Sequence, residues 1–529
     1  MGTGFNAPAS VTEPLETDAF LPVLPLSGKM TAGRTGFSFV PLPCTFSFSQ
    51  PEVVQMIQFG TGGWRAIIAE DFTKENIRKV ACAAARRMKR DGVALEGFAI
   101  GYDRRFLSRE SAEWFSEVLA GEGIPVYFVN LSAPTPQIMF TVKSMHLPYG
   151  AAITASHNPA IYNGIKLFTR GGRDAMQEIT DAIASEANSL SSAEIPSIPF
   201  ETALHSGKIR FIDPRDAYLD SIMDKIDIAA IRRRRPRIVL DPMFGVSLTG
   251  LMTIFYTARC DIDVINDRHD AFFGRHLPAP NPETLADLQV AVEEHHADIG
   301  IATDGDADRL GIIDENGAYI PANEILVLLY YYLLKYKGWT GDAVRNIATT
   351  HLLDKVAAAY GQRCWEVPVG FKYISSGMEE HDALIGGESS GGLTVRGHIS
   401  GKDGLYAASL LVEMLSVTNK SISALVQEIY KTFGEMHMAE YDWGLTEEIR
   451  QSLSQTLFTE KKLPDFGKSI QKISYLDGCK VYFEDQSWII ARFSGTEPRI
   501  RCFAEDKSLD DARGLVAIMA DFLNLPFSS

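Results

Sequence analysis

The chain has 529 residues, 46% hydrophobic and 22% charged, a composition that excludes a disordered or collagen-like protein. Lysine and arginine number 51 against 67 aspartates and glutamates, giving a formal charge of -16. That balance argues against nucleic acid and anionic membrane as partners, because both are bound by neutralising many phosphates, but it leaves a small phosphorylated substrate open.

At about 150 residues per domain the length predicts three to four domains. Residues 1–55 are rich in Pro, Ser, Thr, Gly and Phe without helical or strand period. They are expected to form a flexible extension, or to reflect an upstream start with Met56 as the true beginning. Glu13, Glu16 and Asp18 come too early for a secretory signal or transit peptide, and Asn6 stands where myristoylation of Gly2 needs a hydroxyl. From Met56, helices over 73–90 and 108–121 alternate with strands over 97–101 and 124–129, the pattern of parallel-sheet α/β layers. A Ser-rich stretch over 182–198 reads as a helix end and loop. Four arginines at 232–235 read as a solvated loop before a strand at 237–240, which opens a second α/β unit running past a strand at 299–303. The apolar run 325–334 is about ten residues, half of a membrane span, and reads as a core helix of a third unit. That unit continues with a strand at 347–350 and a helix at 352–360. Beyond 435 come one helix, strands at 480–483 and 488–493, and a terminal helix from Leu509. The reading is three tandem α/β units, related to one another by their similar size though without a clean sequence repeat, and a smaller α+β tail. Six scattered cysteines without a C-x-x-C pair favour buried thiols in a reducing, cytoplasmic compartment over a disulfide framework or zinc site.

Four loops carry chemistry. In Ile301-Ala-Thr-Asp-Gly-Asp-Ala-Asp-Arg-Leu310, alternation in an extended segment would aim Asp304, Asp306 and Asp308 to one side, where an oxygen-seeking Mg²⁺ would relieve their repulsion. An EF-hand is weakened by Arg309 where its sharp turn wants Gly, whereas a phosphatase using Asp304-Gly-Asp306 stays open. In Ala151-Ala-Ile-Thr-Ala-Ser-His-Asn-Pro159, a strand delivers Ser156 to a turn, and Asn163-Gly164 is expected to turn the chain into a second strand. His157 is expected to point away from Ser156 and to shape the loop. In Gly386-Gly-Glu-Ser-Ser-Gly-Gly392, Glu388 and Ser390 could clasp sugar hydroxyls. In Arg492-Phe-Ser-Gly-Thr-Glu-Pro-Arg499, with Arg501, the cations, hydroxyls and turn amides suit a phosphate.

Together and in this order the four loops resemble the α-D-phosphohexomutases, the phosphoglucomutase and phosphomannomutase family, and are most like the bacterial-type phosphoglucomutases. Phe59-Gly-Thr-Gly-Gly-Trp-Arg65, Gly101-Tyr-Asp-Arg-Arg105, Pro134-Thr-Pro136 and Val367-Pro-Val-Gly-Phe-Lys372 add to the likeness. The resemblance implies α/β domains at 56–207, 208–318 and 319–435 and a smaller domain at 436–529, around a central cleft. It implies a phosphoryl group carried by Ser156, and Mg²⁺ held by that group with Asp304, Asp306 and Asp308. Arg65 and Lys166 would support the transition state. Arg309, Lys372, Glu388 and Ser390 would read the sugar, and Arg492, Ser494, Gly495, Thr496 and Arg501 would hold the unreacting phosphate. Lys166 or Lys402, with a pKa lowered by neighbouring cations, is the expected base, and His157 the alternative.

The implied reaction exchanges glucose 1-phosphate and glucose 6-phosphate through glucose 1,6-bisphosphate, in a monomer or dimer. Ser389 departs from glucose-selective members, which often carry a second Glu there, so phosphomannomutase is the runner-up, followed by phosphoglucosamine mutase and phosphopentomutase. A phosphatase, or a relative that only binds, is the alternative from another class.

Overall fold

Four sheets follow one another along the described residues, 56–494 and 498–527 of this computed structural model. The expected extension over 1–55, and Gly495 and Thr496 of the expected phosphate loop, lie outside them. The first three sheets share one plan. In the first, Phe98–Tyr102 is flanked in parallel by Val126–Val129 and Tyr149–Ile153, and Tyr162–Thr169 runs antiparallel outside. In the second, Arg237–Asp241 is flanked by Asp261–Val264 and Ile299–Thr303, with Leu310–Ile313 antiparallel outside. In the third, Ala343–Asn346 is flanked by Cys364–Val367 and Ile385–Gly387, with Leu393–Val395 outside.

The repetition reaches individual atoms. Each central strand ends in a side chain that turns the chain by accepting the amide two residues on. Asp103 Oδ1 accepts from Arg105 N at 2.9 Å, Asp241 Oδ1 from Met243 N at 2.7 Å, and Asn346 Oδ1 from Ala348 N at 2.9 Å. The three domains are therefore related in structure although their sequences show no clean repeat.

Helices cover the sheets by ordinary amphipathic logic. Lys74–Arg90 starts at Thr73, whose Oγ1 accepts from Asn76 N, and buries Ile77, Val80, Ala81, Ala84 and Met88 on one face. Ala322–Lys335 differs, because every residue from Ile325 to Leu334 is buried. It is apolar all round because Leu352–Ala359, Gly404–Thr418 and Ile422–Phe433 pack around it. No helix among the described residues is long and apolar enough to cross a membrane. The last domain is a five-stranded antiparallel sheet with the helix Leu509–Phe522 against it.

Three local expectations are corrected. The strand expected at 347–350 is Ala343–Asn346, and the residues after it form a loop. Ile347 and Ala348 are apolar because they pack on Tyr482, Trp488, Ile490 and Phe503 of the last sheet, so the signal reported a domain interface. Arg232, Arg233 and Arg234 of the arginine run form the last turn of the helix Ile228–Arg234 rather than a loop, and Arg235 caps it in the left-handed region. Arg232 donates to Thr257 O and Arg234 pairs with Asp298, and cations suit a helix C-terminus. Asn163 and Gly164 lie inside Tyr162–Thr169, not in a turn. A Cβ at Gly164 would sit 2.3 Å from Trp64 O and 2.8 Å from Thr154 O, so glycine there permits three backbones to meet. Gly164→Ala is expected to destabilise the protein by about 1–3 kcal/mol, since backbone cannot yield as a side chain can. Urea unfolding checks this, and a stability equal to that of the parent would refute it.

Candidate active site

The shared plan gives the three domains one loop each in the same position, between the parallel strand beside the centre and its antiparallel neighbour. These loops cover residues 154–161, 304–309 and 388–392, three of the four loops singled out from sequence. The first two touch. A Cβ on Gly305 would lie 2.9 Å from Ser156 O, so only glycine admits this approach. Thr135, opening the helix Thr135–Ser144, donates its amide to Asp306 O at 2.9 Å and its hydroxyl to Asp306 Oδ2 at 2.7 Å.

Ser156 is fully buried and takes φ +54°, a left-handed conformation costing a non-glycine residue roughly 1–2 kcal/mol. Its amide donates to Thr154 Oγ1 at 2.9 Å, and that hydroxyl donates to Asp103 Oδ2 at 2.6 Å. Ser156 Oγ donates to Asp304 Oδ2 at 2.7 Å. The expectation that His157 turns away is corrected: its Nδ1 lies 3.4 Å from Ser156 Oγ, because the left-handed serine reverses the chain locally. Burial, then the charges of Arg309, Arg65 and Lys402, push the imidazole well below its ordinary pKa, so it is neutral.

Asp304, Asp306 and Asp308 are buried, and one carboxylate oxygen from each lies within 4.8 Å of the others. They converge by a turn containing Ala307 at φ +61°, not by the alternation of an extended segment, since the strand ends at Thr303. Lys166 donates to Asp306 Oδ2 and Asp308 Oδ2, both at 2.7 Å, and Lys402 lies 3.1 Å from Asp308 Oδ2. Burial and the neighbouring carboxylates raise the pKa of Asp304. Burial also works to raise Asp306 and Asp308, but Lys166 at both, joined by Lys402 and Arg309 at Asp308, holds them below the usual range. Lys166 departs from its expected role in the same way. Burial alone would lower it, yet Asp306 and Asp308 raise it, so it is a firm cation here rather than a base made available by cationic neighbours.

Among the described residues, four buried polar atoms of this cluster lack a hydrogen-bond partner: Asp306 Oδ1, Asp308 Oδ1, Arg65 Nε and Arg309 Nε. Orphaned acceptors on clustered carboxylates suit a hard divalent cation, and orphaned guanidinium donors suit an anion such as a phosphoryl group. Arg65 otherwise donates Nη1 to Asn158 Oδ1 at 2.5 Å, and burial followed by Arg309 lowers its pKa to about 10.

The third loop docks on the second. Leu310 N donates to Gly391 O at 3.2 Å, and Gly404 N to Ala307 O at 3.1 Å. Ser390 Oγ donates to Glu388 Oε1 at 2.7 Å. Lys402 reaches Asp308 from just before the helix Gly404–Thr418, whose N-cap Asp403 accepts from Leu405 N and Tyr406 N. Lys372 is not beside Glu388 by any described contact. It donates to Gln177 and lines a cleft with Lys166, Asp174, Thr180 and Gly60. In the last domain Arg492 pairs with Asp477 at 3.3 Å, which in turn accepts from Val369 N at 2.8 Å. Ser494 N closes its hairpin on Arg499 O at 2.9 Å, and Arg501 Nε lies 3.8 Å from Asp442. The described contacts thus gather Arg65, Ser156, His157, Lys166, the three aspartates, Arg309 and Lys402, while Arg492, Ser494 and Arg501 stand on a separate sheet.

Comparison with known proteins agrees with this geometry. Models of the phosphoglucomutase/phosphomannomutase α/β/α domains I, II and III match residues 56–194, 216–317 and 321–433. A phosphoglucomutase/phosphomannomutase of Thermococcus kodakarensis is 33% identical over 460 residues, covering 86% of this chain and 96% of that protein. The chain belongs to the phosphoglucomutase/phosphomannomutase family. It is therefore a phosphotransferase isomerase acting as a phosphohexomutase. A phosphoglucosamine/phosphogalactosamine mutase of Sulfurisphaera tokodaii is 28% identical over 464 residues, covering 87% of this chain and 97% of its own. Among solved structures, a protein of Thermus thermophilus provisionally assigned as a phosphomannomutase superposes with a TM-score of 0.76 at 28% identity. That match covers 88% of this chain and 99% of the other.

Sequence reasoning missed Thr135, Thr154, Asp103 and the contact role of Arg105. The Gly101-Tyr-Asp-Arg-Arg105 and Pro134-Thr-Pro136 strings marked the phosphohexomutase resemblance, but a role for them needs the tertiary contacts. Because Asp304 is raised and must ionise to ligate, Mg²⁺ binding is expected to release protons at neutral pH and to tighten as pH rises. Calorimetric titration with Mg²⁺ in buffers of different ionisation enthalpy measures this. Identical heats in all buffers would contradict it.

Proposed function

We propose that this phosphohexomutase interconverts glucose 1-phosphate and glucose 6-phosphate, with Ser156 carrying the phosphoryl group. The observation that carries the phosphoryl-transfer part of this reading is the set of orphaned carboxylate and guanidinium atoms in the cluster whose Asp304 accepts from Ser156 Oγ; Gly391-Gly392 and Lys402-Asp403-Gly404 are what lean towards glucose. Neither water-exposed turns nor a plain core explain buried donors and acceptors of opposite demand in one place.

Asp304, Asp306 and Asp308 would hold Mg²⁺, which when bound supplies positive charge to the phosphoryl oxygens. Arg65 and Lys166 neutralise charge that develops on the transferring group and hold it in line. A sugar hydroxyl attacks the phosphorus of phosphorylated Ser156. The new P–O bond forms, the serine P–O bond breaks, and the hydroxyl proton leaves. Ser156 Oγ takes up a proton as it leaves and gives one up when the second phosphate returns to it. His157, with Nδ1 3.4 Å from that oxygen, is the group placed to exchange it, whereas Lys166, bound to Asp306 and Asp308, is held as an ammonium. The resulting glucose 1,6-bisphosphate turns over in the cleft, and its other phosphate returns to Ser156. Glu388 and Ser390 orient the sugar hydroxyls, while Arg492, Ser494 and Arg501 of the last domain hold the waiting phosphate.

A second reading, use of mannose or glucosamine phosphates, is favoured by Ser389 and by the naming of the relatives. Parallel assays with glucose, mannose, glucosamine and ribose 1-phosphates separate the two, and the expected order puts glucose first. A better kcat/KM on another sugar would replace the glucose assignment. Ser156→Ala is expected to lower turnover by at least roughly 10⁴-fold and to abolish phosphoryl incorporation seen by mass spectrometry. His157→Gln is expected to lower kcat by about 10²-fold or more. A His157→Gln enzyme with parental kcat would return the base to another group.

A further inference from the structure

Arg105 is buried to zero side-chain exposure, and one guanidinium donates to four carbonyl oxygens, three of the serine loop and that of Tyr162, which opens the next strand. Nη2 reaches Ser156 O at 2.6 Å and Asn158 O at 2.7 Å. Nη1 reaches Pro159 O at 2.9 Å and Tyr162 O at 3.1 Å. Its own backbone is pinned by Asp103, whose Oδ1 accepts from Arg105 N while its Oδ2 lies 3.4 Å from Arg105 Nε. Asp103 Oδ2 also accepts from Thr154, the residue that receives the Ser156 amide. The ring of Phe273, from the second domain, covers the guanidinium carbon at 4.8 Å.

We infer that Arg105 is a positioning residue for phosphoryl transfer: its fork holds the serine loop in the left-handed turn that aims Ser156 Oγ at Asp304. The inference rests on Ser156 being the phosphoryl carrier.

Three features carry it. The loop conformation is one that serine adopts rarely, and such backbone persists where surroundings over-determine it. The four carbonyls face one planar fork, which a lysine ammonium, a single point with three donors, does not match. None of Arg105's described contacts is with Glu388, Ser390, Lys372, Arg492 or Arg501, the residues assigned to the sugar and the waiting phosphate. A looser loop should therefore slow the chemical step and leave sugar-phosphate binding alone. The same argument assigns Asp103 and Thr154 to the support of Arg105.

The test compares the parent with Arg105→Lys, Arg105→Ala and Ser156→Ala in the full chain. Readouts are kcat and KM for glucose 1-phosphate, thermal unfolding, and hydrogen exchange of peptides spanning 154–162. For Arg105→Ala, kcat is expected to fall about 100-fold, the loss that a misplacement of about 1 Å brings, with KM unchanged within roughly threefold. Exchange should rise in 154–162 while the other sheets keep their protection. Guanidinium ion at a non-denaturing concentration should restore part of the kcat of Arg105→Ala, and Arg105→Lys should remain impaired. If Arg105→Ala does not fold, Arg105→Lys decides alone, by kcat, KM and exchange. Parental kcat in Arg105→Lys, a rise in KM matching the fall in kcat, or indifference of a folded Arg105→Ala to guanidinium would each overturn the inference. An active Ser156→Ala would instead overturn the phosphoserine reading beneath it, so the two failures are distinguishable.

Discussion

Asp304, Asp306 and Asp308 place three carboxylates of like charge in one buried turn, and burying an ion without a partner costs several kcal/mol. Compensation arrives from different parts of the chain. Lys166 comes from the antiparallel strand Tyr162–Thr169 of the first sheet and spans two of the three. Lys402 comes from the third domain and reaches Asp308, and Thr135 donates from a first-domain helix. The cluster thus draws its partners from the first and third domains. The carboxylates therefore act as a tether between domains as well as a prospective metal site, and the buried atoms left unpartnered mark what a cation would add.

The convergence depends on topology before it depends on side chains. Three domains of one strand order present equivalent loops, and each loop became specialised: a hydroxyl in the first, carboxylates in the second, glycine and glutamate in the third. Direct backbone contacts then seat them on one another, through Gly305 against Ser156 O, Leu310 N to Gly391 O, and Gly404 N to Ala307 O. A side chain at Gly305 would force the first two loops apart. The glycines beside the acidic and hydroxyl residues are thus spacing elements of the same site.

The fold class and most elements were legible in sequence. The helix Ser108–Gly121 and the strands Ile299–Thr303 and Trp488–Phe493 have the expected bounds, because their burial follows their own periodicity. Errors arose where apolar or turn-prone residues serve distant partners. Ile347 and Ala348 mimic a strand because they face the last domain, and Gly164 mimics a turn because Trp64 passes close by. The relatedness of the three domains was legible from their similar size but not as a residue repeat, because hydrogen-bond pattern and strand order are shared while side chains are not.

Residue type and order along the chain determined the chemical inventory: an acidic triad, a serine loop, a glycine-glutamate loop and a basic hairpin, together with the family resemblance. Charge and composition argued against nucleic acid and anionic membrane and left a small phosphorylated substrate open. Tertiary structure alone decided protonation and placement. It made Lys166 a cation bound to Asp306 and Asp308, turned His157 towards Ser156 Oγ in neutral form, and set Arg105 beneath the serine loop. The reason is physical. Motifs report which groups a segment offers, but a pKa, an orphaned atom or a four-carbonyl clamp depends on what distant segments bring within a few ångströms.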